Sequence, residues 1–151
     1  MNAARVLAPW APPVASIEPA RLVPGAEGRL VITLDVPEGC HVQSHRPSQP
    51  FLVPTTLSVD PPGHGLELGQ PTYPDGEVER YGWTDVALTV YRGTVRITVP
   101  VRAMADWSGT SRLTARLRYQ GCTESACLPP VELPVEVLVV SATPASASPV
   151  R

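Results

Sequence analysis

The segment Tyr119-Gln120-Gly121-Cys122-Thr123-Glu124-Ser125-Ala126-Cys127-Leu128-Pro129-Pro130 holds two of the chain's three cysteines, five positions apart. Two thiols at that spacing, with a Gly before the first, can bring their Cα atoms within the roughly 4.4 to 6.8 Å that a disulfide requires. Pro129 and Pro130 fix the exit of the loop and restrain the sulfurs with it. A bridge closing so short a loop contributes only ~2 kcal/mol through chain entropy. A chain of 151 residues buries enough apolar area to fold without such help. A bond worth so little to folding suits chemistry in which it opens and closes. An accessible thiolate attacks a disulfide in another protein, and a second thiol close by resolves the mixed disulfide. Glu124 lies in the loop, where its charge would disfavour a neighbouring thiolate. Two further readings of the spacing stand beside this one. Extracytoplasmic domains use many purely structural disulfides, and a cysteine pair can be half of a zinc site. The zinc reading is weakened by a spacing other than C-x2-C and by the lack of a second pair.

Fewer residues elsewhere invite chemistry. Cys40, the odd cysteine, ends an apolar strand and reads as a core position, because free Cys behaves as a small hydrophobe. The alternative joins Cys40, His41 and His45 as soft ligands for copper or zinc. His41 and His45 are four apart, however, and share a face of a strand only if it runs straight through Ser44. Trp83 and Trp107 read as core rings, with partner docking as the alternative. Trp10 falls in the loose N-terminal stretch, and Asp75-Gly76-Glu77 with Glu79 reads as a solvated acidic turn. No Ser-His-Asp ordering, Gly-rich phosphate loop or close carboxylate pair stands out, so hydrolase and nucleotide-binding readings lack support. No cofactor is expected.

The elements that must position the cysteines follow from composition and period. With 19 Pro in the chain, a helix bundle is excluded, because each Pro inside a helix removes a hydrogen bond and clashes with the preceding turn. Twelve basic against fourteen acidic residues give a net charge of -2, which argues against nucleic acid as a partner. No run of 18 apolar residues occurs, so nothing is expected to span a membrane. Met1 to Val14, broken by Pro9, Pro12 and Pro13, does not read as an intact signal peptide.

The dominant period is two. Leu30, Ile32, Leu34 and Val36 alternate with polar neighbours. So do Val86, Leu88 and Val90; Val95, Ile97 and Val99; Leu113, Ala115, Leu117 and Tyr119; and Val131 through Val139. Ser16 to Leu22 and Thr55 to Val59 are weaker candidates. Arg92-Gly93 between two runs predicts a hairpin turn, and Pro134 predicts an edge position for the last strand, or a face whose N–H needs no ladder partner. About seven short strands separated by Pro- and Gly-rich turns predict an all-β, immunoglobulin-like antiparallel sandwich, with a closed barrel as its rival. The expected organisation is a flexible segment over 1-14, one domain over 15-140, and an Ala/Ser/Pro tail or linker over 141-151.

The cysteine segment, YQGCTESACLPP, resembles the amino-terminal periplasmic domain of the DsbD thiol:disulfide interchange proteins. Pro37-Glu38-Gly39-Cys40-His41-Val42, Pro50 to Thr55, Pro71-Thr72-Tyr73-Pro74 and Val90-Tyr91-Arg92-Gly93 resemble the same family and fall in the same order. The resemblance covers roughly Ile17 to Val140. It implies an immunoglobulin-like domain in the periplasm, or otherwise outside the cytoplasm, whose cysteine pair carries electrons. These come from the transmembrane part of a DsbD-type protein and go to thioredoxin-fold disulfide isomerases or reductases, a route that also serves cytochrome c biogenesis. Carried over residue by residue, Cys127 attacks the partner and Cys122 resolves the intermediate. The family's capping loop corresponds to Glu79-Arg80-Tyr81-Gly82, with Arg80 where an aromatic is usual and Tyr81 as the capping ring. Glu124 and Pro129, which flank the sulfurs, join Glu79 and Tyr81 as expected capping or partner contacts.

Overall fold

A computed structural model describes residues 11–142. Among these residues there is no helix, and twelve strands form three four-stranded sheets. We number them β1 (Val14–Ile17), β2 (Ala20–Leu22), β3 (Glu27–Val36), β4 (His41–Gln43), β5 (Thr56–Val59) and β6 (Leu66–Leu68). The chain continues as β7 (Glu77–Glu79), β8 (Leu88–Tyr91), β9 (Gly93–Ala103), β10 (Thr110–Tyr119), β11 (Gly121–Cys122) and β12 (Val131–Ser141). The fold is the expected all-β, immunoglobulin-like one. Val14 and Ser141, which the sequence assigns to the terminal segments, belong to strands. Trp10 and nearly all of the expected tail lie outside the described residues.

The first sheet runs β1-β3-β9-β6 and the second β2-β12-β10-β5. All pairings are antiparallel except β12 with β2. The long alternating strands account for the sandwich. Leu30, Ile32 and Leu34 of β3 and Val95, Ile97, Val99 and Val101 of β9 turn inward from one sheet. Leu113, Ala115 and Leu117 of β10 and Val135, Val137 and Val139 of β12 meet them from the other. Each Val, Leu or Ile among them gains roughly 1.5–3 kcal/mol from leaving water. Trp107 closes one end of this core. Pro134 faces Arg116 on β10, while β2 pairs with β12 only from Val139 to Ser141. Pro134 therefore has no neighbouring strand on the side away from β10, which is where a residue without an N–H is tolerated.

The third sheet, β11-β4-β8-β7, is small, and it carries the cysteines. Its origin corrects the expected hairpin at Arg92-Gly93. β8 and β9 do not pair: β8 belongs to the small sheet and β9 to the first, with Arg92 alone between them. Gly93 (φ 65°) lets the chain bend there and pass from one sheet to the other. The competing partner wins on length, because β9 matches β3 over ten residue pairs, more than four-residue β8 offers. Three further differences have simple causes. Ser16 to Leu22 is split at Glu18-Pro19 into two strands of different sheets. Val86 is exposed outside β8. Trp83 is 38% exposed, whereas Trp107 is the core ring expected of both.

Gly65 shows how tightly the core end is built. It adopts φ +100°, and a Cβ placed on it would lie 2.8 Å from the Trp107 ring. Gly65→Ala is therefore expected to cost about 2 kcal/mol from backbone strain and crowding. Thermal unfolding should show a Tm lower by roughly 5 °C. An unchanged Tm would mean that the Trp107 contact yields freely.

Candidate functional site

Cys122 and Cys127 are bonded to each other, with Cα atoms 4.0 Å apart. They sit directly opposite in a short hairpin. Thr123 N–H donates to Ala126 O (2.9 Å) and Leu128 N–H to Gly121 O (2.8 Å). The two cysteines thus form a non-hydrogen-bonded antiparallel pair, the kind whose side chains approach most closely. Thr123 Oγ1 accepts the Ser125 N–H (3.2 Å) and orders the tip. Gln120 anchors the base: its Oε1 accepts from Val53 N–H (2.9 Å) and its Nε2 donates to Leu128 O (3.2 Å).

The two sulfur-bearing residues differ in environment. Cys122 is fully buried, 0% exposed, because Gly121–Cys122 is the edge strand paired with Val42 and His41 of β4. Cys127 is only partly buried, and Glu124, Ser125, Ala126 and Pro129 around it are exposed or half-buried.

On β4 the alternation sends Val42 into the main core and leaves His41 and Gln43 together on the cysteine face. Gln43 is buried, and its Nε2 donates to Cys122 Sγ at 3.3 Å and to Cys127 Sγ at 3.7 Å. The same sheet contributes Leu88 and Val90, which with Leu52 and Tyr81 make a second small apolar cluster. Tyr81 comes from the loop after β7. Its ring stacks on His41 with centroids 4.4 Å apart, and the Trp83 ring lies 6.3 Å from it.

A polar network holds that loop. Arg92 grips Glu79 with two hydrogen bonds, Nε to Oε2 at 2.9 Å and Nη2 to Oε1 at 2.7 Å. Tyr81 O–H donates to Glu79 Oε1 (3.3 Å), accepts from Arg92 Nη2 (3.2 Å) and lies 3.2 Å from His41 Nδ1. The Arg92 guanidinium holds the Glu79 carboxyl below the usual range, and burial pushes the Tyr81 phenol up. His41 is enclosed, and burial, reinforced by the nearby Arg92 charge, lowers its pKa to about 4. It is neutral at pH 7.

The geometry is a cross-strand disulfide between a buried and a partly buried cysteine, beside a buried carboxamide, with a tethered aromatic loop packed on the neighbouring His41. The profile of the family described as thiol:disulfide interchange protein DsbD, N-terminal, matches residues 11–138. The chain belongs to that family. Among solved structures, the DsbD N-terminal domain of Neisseria meningitidis in the reduced form is 20% identical, with a TM-score of 0.51. The match covers 91% of this chain and 93% of that one. It shows a shared fold. The N-terminal periplasmic domain of ScsB from Proteus mirabilis is 12% identical (TM-score 0.48), over 82% of this chain and 44% of that one. AggA, the major subunit of aggregative adherence fimbriae type I from Escherichia coli, is 9% identical (TM-score 0.48), over 87% and 95%. Among the curated proteins, none matches.

The residues singled out from the sequence of this DsbD-family domain are distributed unevenly. Cys122, Cys127, Tyr81 and Glu79 belong to one continuous region, with Glu124 and Pro129 exposed on its rim. Cys40, His41 and His45 do not converge. Cys40 packs in the main core as a free thiol. His41 engages Tyr81, while His45 stacks on Tyr73 at 3.6 Å and its Nδ1 lies 2.9 Å from Thr55 O. Among the described residues no group of three His, Cys, Asp or Glu is placed to hold a metal ion. Sequence reasoning missed Gln43 and Arg92. Gln43 carried a usable signal, since it stands two residues after His41 in a strand and must share its face. Arg92 was hidden by its reading as a turn residue. No helix among the described residues is long and apolar enough to cross a membrane.

Proposed function

We propose that this domain passes electrons by thiol-disulfide exchange, with Cys127 as the attacking sulfur and Cys122 as the resolving one. The observation that carries this reading is the asymmetry of the pair: Cys122 is fully buried, while Cys127 is only partly buried on a hairpin with an exposed tip. The working unit is the immunoglobulin-like domain over residues 15–140.

In the reduced domain the Cys127 thiolate attacks one sulfur of a partner's disulfide. A Cys127–partner bond forms, the partner's own S–S bond breaks, and its second sulfur leaves as a thiolate that takes a proton from water. Cys122 then gives its proton to water and attacks Cys127 Sγ. The Cys122–Cys127 bond forms and the Cys127–partner bond breaks. Two electrons have moved to the partner, which leaves as a dithiol. The partners that suit this chemistry are thioredoxin-fold disulfide isomerases or reductases in the periplasm. A DsbD-type transmembrane domain would return the domain to its reduced state.

The loop at Glu79-Arg80-Tyr81-Gly82 acts as the cap, latched by Arg92. Breaking the latch should expose the disulfide more often. The Arg92–Glu79 pair is partly open to solvent, so its worth is discounted to about 1 kcal/mol. Arg92→Gln is therefore expected to speed reduction of the disulfide by a small dithiol ~fivefold. An unchanged rate would remove the loop from any gating role.

The exchange itself is tested by mixing the fully reduced domain with an oxidised thioredoxin-fold isomerase and counting free thiols on each protein with time. The expected result is loss of two thiols from the domain and gain of two by the isomerase. Absence of transfer, together with a reduction potential below about -300 mV, would make the bond a structural one.

A further inference from the structure

One polar side chain lies against the sulfurs without a part in the steps above. Gln43 is fully buried, and its Nε2 donates to Cys122 Sγ at 3.3 Å and Cys127 Sγ at 3.7 Å. Its Oε1 has no hydrogen-bond partner among the described residues. The backbone around it is pinned on both sides: Gln43 N–H donates to Gln120 O (3.0 Å), and Gln43 O accepts from Thr55 Oγ1 (2.6 Å). The carboxamide is therefore fixed at the sulfurs by the sheet itself. A disulfide serves such a group poorly, since its sulfurs are weak acceptors and donate nothing. A thiol offers an S–H donor, and a thiolate is a far stronger acceptor.

We propose that Gln43 stabilises the Cys122 thiolate in the resolving step, by donating its amide N–H to that sulfur once the Cys122–Cys127 bond is open. The inference rests on the exchange reading above. Cys122 is the sulfur shut away from water, and burial disfavours its ionised form. A fixed N–H donor opposes that penalty where solvent cannot. In the step, the Cys122 thiol loses its proton to water. The thiolate held by Gln43 attacks Cys127 Sγ, the Cys122–Cys127 bond forms, and the partner's sulfur departs as a thiolate and is protonated by water. The partner's disulfide is the oxidant throughout. Wherever Cys122 is ionised, the same contact favours the reduced pair over the oxidised one, so Gln43 then also makes the couple more oxidising.

The test reads the sulfur directly. In a Cys127→Ser background, the ultraviolet absorbance of the Cys122 thiolate is followed against pH with Gln43 present and with Gln43→Met or Gln43→Glu. The expected midpoint rises by about one pH unit on losing the donor, a tenfold change in ionisation. Gln43→Glu keeps the shape and should move at least as far. In the otherwise unmutated domain, measured at a pH above that midpoint, Gln43→Met should shift the equilibrium with glutathione ~tenfold, about 30 mV toward the more reducing side. The reduced native domain supplies a measurement free of substitutions: the Gln43 side-chain amide proton resonances should move with the midpoint of Cys122. Amide resonances that stay flat through that titration, or an unchanged midpoint in folded variants, would overturn the proposal. None of these measurements needs a protein partner. An intact Gln43 effect alongside failed transfer to a partner would overturn the exchange reading alone.

Discussion

Cys122→Ser should turn a passing encounter into a lasting covalent complex, and Cys127→Ser should form none. The difference follows from where the sulfurs lie. Cys127 is the partly exposed one, at a hairpin whose tip residues Glu124 to Ala126 face solvent. With Ser at 122, its thiolate can still attack a partner disulfide, but nothing remains to displace the partner. The mixed disulfide then accumulates until an outside thiol releases it. With Ser at 127, the remaining thiol is enclosed by β4 and by the hairpin, and transfer should be lost completely. The check is a non-reducing gel of each variant after mixing with an oxidised thioredoxin-fold protein, with mass spectrometry of any adduct. Equal trapping by both variants would show that the hairpin and its surroundings open widely enough to erase the asymmetry. Trapping by Cys127→Ser alone would reverse the assigned roles.

The second large effect is on stability in mild acid. His41 titrates at about 4 in the folded domain against 6.5 unperturbed, so between those values the unfolded chain binds a proton that the folded one refuses. Stability is then complete above about pH 6.5 and falls as the pH drops toward 4. Each tenfold difference in proton affinity between the two states is worth about 1.4 kcal/mol, so the loss between about pH 7 and 4.5 is roughly 2–3 kcal/mol. The charged and titratable neighbours do not reverse the sign. Arg92 opposes a second positive charge, and Glu79, which favours one, is already held by Arg92. Denaturant midpoints measured across that range should fall for the native sequence and stay nearly level for His41→Phe, which keeps a ring against Tyr81. If His41→Phe loses stability just as steeply, the acid sensitivity arises elsewhere. The consequence for the site is direct. Acid that protonates His41 removes the ring under Tyr81 from its neutral stack, and the loop carrying Tyr81 should loosen before the sandwich unfolds.

Much of this was legible in the residues. The strands of the sandwich announce themselves because each buries one face, and period two in β3, β9, β10 and β12 records that directly. The cysteine hairpin was legible for a different reason: its chemistry is local, and Gly121, the five-residue spacing and the following prolines are all contiguous. The short strands were not. β4, β6, β7 and β11 have two or three residues each, too few for any period to register, and their pairing depends on partners far along the chain. The hairpin expected at Arg92-Gly93 failed for the same reason, since local turn chemistry is satisfied either way and the choice fell to the longer ladder with β3.

The sequence by itself therefore determined the fold class, the family and the pair of sulfurs, because alternation and a contiguous motif need no knowledge of distant neighbours. Only the tertiary structure decided which sulfur is sealed, that Gln43 reaches both, and that Glu79, Tyr81, His41 and Arg92 form one network. Those residues are brought together by a small sheet in which Gln43 and Cys122 meet across 79 positions of the chain. Burial and hydrogen-bond reach are properties of that assembly, and no window of the sequence contains them.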